Sequence, residues 1–140
     1  MLRTNLDSAF ATVRSGAKSM REGGSIVLLA SAAAEVGLVN HEAIAAAKAG
    51  VIGLARSAAA TYAPRLRVNV VAPGLVRTPL SERITGSEAA LKASVAMHPL
   101  GRIGEPEDVA RAICWLLDPA QDWVTGQVLG VDGGLADLKR

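Results

Sequence analysis

Apolar residues recur every three or four positions at Leu2, Leu6, Phe10, Val13, Ala17 and Met20, and the pattern stops at Gly23-Gly24. This spacing predicts a helix over about residues 2 to 22. Ser25-Ile26-Val27-Leu28-Leu29-Ala30 is apolar on both faces and too short for a helix, as a buried parallel strand is. Residues 42 to 63 are Ala-rich with few breakers, and Ile44, Lys48, Ile52 and Ala55 share one side of the helix they predict. Arg67-Val68-Asn69-Val70-Val71-Ala72 is β-branched and ends at Pro73-Gly74, a second strand leading into a loop. Ser87 is placed to cap a helix running to about Met97. Pro106, among Glu105, Glu107 and Asp108, opens another helix whose apolar face is Val109, Ile113, Leu116 and Leu117. Gln127 to Val131 make a third strand, closed by Asp132-Gly133-Gly134. The order αβαβααβ implies an α/β fold with a parallel sheet and right-handed crossovers.

Composition narrows the class without changing this order. A chain of 140 residues makes one domain that buries roughly two-thirds of its unfolded surface. Ala, Val, Leu and Gly supply most of the apolar half of the chain, which suits helices packed closely on a sheet. A net charge of +2 from 15 basic and 13 acidic residues leaves no patch for nucleic acid or a membrane surface. The lone Cys114 has no disulfide partner, and its apolar surroundings predict a core position. Trp115 and Trp123 are expected as core and interface fillers. No apolar signal-type stretch opens the chain, and Glu35, Glu42 and Lys48 interrupt the most apolar region, so a cytoplasmic protein is expected.

Five segments, in order, resemble the short-chain dehydrogenase/reductase family across nearly the whole chain. Gly24-Ser25-Ile26-Val27 with Ala30-Ser31 looks like the strand carrying that family's catalytic serine. Ala47-Lys48-Ala49-Gly50-Val51-Ile52-Gly53-Leu54 looks like the helix carrying its lysine, and Arg67 to Thr78 like the strand and loop that hold a nicotinamide. Gly101 to Ala110 and Thr125 to Gly134 look like its carboxy-terminal signatures. The resemblance implies the C-terminal half of a doubly wound, Rossmann-like domain over residues 1–140, a three-stranded parallel half-sheet flanked by helices.

It also implies roles. Asn5 matches the family's helix asparagine that supports a water-linked proton relay, Ser31 its substrate-polarising serine, and Lys48 its ribose-binding lysine. Pro73, Gly74, Val76 and Thr78 match the nicotinamide loop. Each residue also has a plainer account: Asn5 near a helix start, Ser31 satisfied by backbone at a strand end, Lys48 extending to water, and the Pro-Gly pair ending a strand. A Ser31–Lys48 hydrolase dyad is a further alternative, but no oxyanion hole accompanies it. Asp132-Gly133-Gly134 has the composition of a metal loop, with too few carboxylates for a metal site.

Two departures from the family shape the functional expectation. The family's general acid is a tyrosine four residues before the lysine, where Lys⁺ lowers the phenol's pKa. Here that position is Ile44, which can neither give nor take a proton. The nearest ionisable groups, His41 and Glu42, sit before the helix or in its first turn, where capping or a solvated role is expected; substitution by His41 is the alternative. Tyr62 is on the order of 27 Å away along the helix at 1.5 Å per residue. The second departure is that no Gly-rich turn for a pyrophosphate occurs in these residues. NAD or NADP is therefore expected to bind weakly or not at all.

The resulting expectation is a truncated oxidoreductase-family member, inactive alone, with a structural or interaction role. The alternative is an active NAD(P)-dependent subunit completed by another chain. A third account, a longer reading frame, would show a Gly-rich turn upstream. Self-association is expected, through the edge of the first strand or through the helices the family pairs across a two-fold axis.

Overall fold

The three apolar runs form strands β1 (Gly24–Leu29), β2 (Leu66–Pro73) and β3 (Val128–Val131) in a computed structural model that describes residues 2–139. The sheet order is β1-β2-β3, with both pairings parallel, and the register places Ile26 beside Val68 and Val70 beside Val128. Parallel neighbours need long crossovers. These are supplied by α2 (Glu42–Tyr62) between the first two strands and by α3 (Glu82–Thr85), α4 (Glu88–Met97) and α5 (Pro106–Leu117) before the last. α1 (Ser8–Ser19) precedes β1 and continues a π-helical segment at Arg3–Asp7.

Strand periodicity sorts the core between the two faces. Ile26, Leu28, Val68 and Val70 pack with Val13 of α1 and with Val51, Ile52, Ala55, Ala58 and Ala59 of α2 in one buried cluster. On the opposite face lies α5, where Ser25 Oγ donates to the Leu116 carbonyl at 3.0 Å. α2 has the length and apolarity of a membrane-crossing helix, with mean hydropathy 1.3 in its most apolar window. That differs from the expectation that charges interrupt this region, but its apolar side is buried on the sheet as a core helix.

Two arginines before and within β2 close helices on opposite faces. The Arg65 guanidinium donates to the Met20 carbonyl and, at 3.0 Å, to that of Ala17. α1 accordingly ends at Ser19, three residues short of the expected bound, because a distant side chain takes its last carbonyls. Arg67 donates to Leu116 O at 2.9 Å and Asp118 O at 3.1 Å and so closes α5.

Asn69 is fully buried, donating to Val124 O at 2.9 Å and accepting from the Gln127 N–H at 3.0 Å. It thereby joins β2 to the segment that leads into β3. Asn69→Ala leaves both backbone groups unpaired in a dry site, and urea unfolding should show a loss of about 2 kcal/mol.

Three side-chain expectations are corrected. Cys114 is exposed. Trp115 and Trp123 are 46% and 96% exposed, so neither belongs to the core of the described residues. The cause is the position of α5: its inward residue is Leu116, while Cys114, Trp115 and Leu117 face away from the three strands.

Candidate functional site

In open α/β sheets ligands bind beyond the carboxyl ends of the strands. There β1 runs into Ser31 and β2 into Pro73-Gly74, and the two ends border a cavity of about 440 Å³. Most of its lining is apolar, with Leu38, Val39, Ile84, Met97 and Leu135 among it, and its polar side chains include Ser31, His41 and His98. The Ser31 hydroxyl caps the short turn Ala32–Ala34 by accepting the Ala33 N–H at 3.2 Å. That bond uses an oxygen lone pair and leaves the O–H as a donor for a substrate oxygen.

Behind the cavity, His98 is 3% exposed and bonded at both ring nitrogens. Nε2 accepts the Leu75 N–H at 3.2 Å, which requires that Nδ1 carry the proton it donates to Ser94 O at 2.6 Å. Gly74 is required at this corner: a Cβ there would lie 2.7 Å from His98 Nε2 and 3.0 Å from the Asp132 backbone. Asp132 turns the chain after β3, its two oxygens accepting the N–H groups of Gly134 and Ala136 at 2.9 and 2.8 Å. His98 carried no signal in the sequence, because its burial depends on β2, β3 and α4 converging.

The remaining expected residues lie outside this lining. Lys48 Nζ donates to Leu29 O at 2.9 Å, and burial lowers its pKa from the usual lysine range. Ile44 is half-buried on α2, and Asn5 lies in the π-helical segment. Such segments are frequent at functional sites. This one abuts α2 closely, since a Cβ on Gly50 would come 3.0 Å from Leu6. Thr78 and Ser81 cap the turn that follows the loop, with Thr78 N–H donating to Ser81 Oγ at 3.0 Å. Ser81 Oγ in turn donates to Val76 O at 2.6 Å, whereas the Val76 N–H has no partner among the described residues.

A second cavity of about 390 Å³ lies across Leu75 and His98, bordered by Arg102, Asp108 and Gly130 to Gly134. The Arg102 guanidinium, with the Glu105 N–H, holds the Asp108 carboxyl well below the usual carboxylate range.

Residues 1–136 match a family model described as enoyl-(acyl carrier protein) reductase. The chain belongs to the short-chain dehydrogenase/reductase family. Among curated relatives of this family, the 2,5-dichloro-2,5-cyclohexadiene-1,4-diol dehydrogenase of Sphingobium indicum is 46% identical over 117 residues, 82% of this chain and 47% of that protein. A short-chain type dehydrogenase/reductase structure from Mycobacterium ulcerans superposes with a TM-score of 0.92 at 36% identity, over 96% of this chain and 50% of that one. A structure from Beutenbergia cavernae described as a putative NAD(P)-dependent gluconate 5-dehydrogenase, with NADP bound at low occupancy, gives 0.91 at 37% identity, over 96% of this chain and 55% of that one. The chain thus spans about half the length of the relatives it matches.

The residues present fit one end of a nicotinamide nucleotide. The Val76 N–H, without a partner among the described residues, would suit a carboxamide oxygen, Gly74 keeps the loop free of a Cβ, and Lys48, now on the Leu29 carbonyl, would suit a ribose hydroxyl. Nothing in these 140 residues supplies the Gly-rich turn that a pyrophosphate needs.

Proposed function

We propose that this chain is the substrate-side half of an NAD(P)-dependent oxidoreductase acting on secondary alcohols or ketones of ring-sized apolar skeleton. The observation that carries this reading is the apolar cavity of about 440 Å³ at the carboxyl ends of β1 and β2, with the Ser31 hydroxyl in its wall. It favours a working subunit over a purely structural or interaction role, because a scaffold has no use for an apolar cavity with a free hydroxyl donor in its lining.

The relatives carry names for different substrates, a cyclic diol in one and gluconate in another, so the substrate class follows from the lining rather than from them. A nicotinamide nucleotide, held at Val76 and Lys48, would accept or supply hydride. Ser31 would donate to the reacting oxygen, and the apolar wall would exclude water around it.

By itself the chain should be inactive, since the pyrophosphate and adenosine have no helix N-terminus among its motifs. Turnover requires a dinucleotide-binding βαβ half from another chain or segment. Titration with NADH and NADPH, followed by fluorescence and heat, should give a dissociation constant no better than roughly millimolar. A value at or below about ten micromolar would mean that other residues of this chain replace the missing turn.

A further inference from the structure

We propose that His41 is the proton-transfer group of this site, in place of the phenol that Ile44 displaces. The assignment rests on reading the 440 Å³ cavity as the substrate site. Ile44 does not line that cavity, whereas His41 and Ser31 both do. The loop before α2, rather than the face of α2, therefore brings an ionisable ring to the place where the chemistry needs one.

The expected capping role is not found: the His41 side chain makes no cap bond to α2. Instead Nδ1 lies 2.8 Å from the Val39 carbonyl. A carbonyl only accepts, so Nδ1 carries a proton, and in the neutral ring Nε2 holds the free lone pair. Nε2 has no partner among the described residues. Other polar groups near the site are committed or lack basicity. His98 is buried and bonded at both nitrogens, Lys48 Nζ is on Leu29 O outside the lining, and the Ser31 and Ser94 hydroxyls are too weak as bases.

In alcohol oxidation the substrate's O–H bond breaks and its proton forms an N–H bond at His41 Nε2. The carbinol C–H bond breaks with its electron pair, which leaves as hydride to an oxidised nicotinamide nucleotide. The oxygen keeps the O–H electrons and forms the carbonyl. The alcohol is oxidised, the nicotinamide reduced, and the imidazolium returns its proton to water. In ketone reduction the same nitrogen donates, while Ser31 holds the oxygen.

The test uses the 140-residue chain labelled with ¹⁵N-histidine and ¹³C-methyl groups, titrated with cyclohexanol and, separately, with methylcyclohexane. Cyclohexanol should move the His41 Nε2 resonance saturably while His98 stays fixed, and methylcyclohexane should move the Ile84 and Met97 methyls but not Nε2. Saturating cyclohexanol should also slow carbethoxylation of His41 by diethyl pyrocarbonate by about fivefold or more, with the locked His98 unreactive throughout. If cyclohexanol moves the Ile84 and Met97 methyls and leaves Nε2 unchanged, or if methylcyclohexane shifts Nε2 equally, His41 is not the acid–base group and the cavity reading stands. If neither compound moves any of these resonances, the cavity is not a substrate site and both readings fall.

Discussion

Carbonyl reduction by the 140-residue chain should stay at background when Ile44 is replaced by Tyr, because a phenol four residues from Lys48 restores an acid but not a hydride donor. Joined to a dinucleotide-binding half from the family, the chain should reduce cyclic ketones with NADH or NADPH. In that joined protein His41→Asn keeps a donor for the Val39 carbonyl but removes the basic nitrogen, and kcat should fall by about 10²- to 10⁴-fold. Ile44→Tyr should then recover most of the loss, since the phenol enters at the position the family uses. Its effect beside an intact His41 should be smaller. The assay is nicotinamide oxidation followed by absorbance with a panel of ketones. Turnover by the unjoined Ile44→Tyr chain would mean that the dinucleotide half is dispensable, and failure of Ile44→Tyr to rescue His41→Asn would mean that the two positions do not serve one step.

A second large effect is expected in assembly, which we propose from the exposed edge of the sheet. β1 pairs only with β2 among the described residues, so its other side carries unpaired backbone groups. Leu29 on that strand is 47% exposed, and Trp115 and Leu117 of α5 stand at 46% and 42%. Bare edges and apolar patches of this kind recruit another chain. Light scattering at micromolar concentration should report a dimer or larger species. Leu29→Lys removes about 2 kcal/mol of burial per contact and should weaken association by roughly 30-fold. A monomer at those concentrations would sink the proposal.

The elements were legible because each depends on short-range pattern. Residues 26–30 are apolar on consecutive positions and 67–72 carry Val68, Val70, Val71 and Ala72, as strands buried on both faces do, and residues 25–30 and 67–72 became strands with boundaries shifted by at most one residue. Ser87 caps α4 through the Ala90 N–H, and Pro106 opens α5, because a cap and a proline act on the turn they touch. Pro73-Gly74 likewise ends β2, as its lack of an N–H and of a Cβ dictates.

What tertiary structure decided involves partners distant in the chain. α1 stops at Ser19 because Arg65, far along the sequence, takes its carbonyls, and no local residue announces that. Cys114 and Trp115 read as core from their apolar neighbours, yet a helix buries one stripe, and packing chose Leu116 for it. His98 is locked by Leu75 and Ser94 only where three elements meet. His41 reads as a cap because it precedes a helix, yet its side chain makes no cap bond and it lines the cavity that Ser31 also lines. The sequence by itself determined which elements form and which family motifs they carry, since those follow from backbone preference and the alternation of polarity. The folded chain decided which nitrogen is free, which faces stay bare and where a substrate fits, since each depends on groups brought together only by packing.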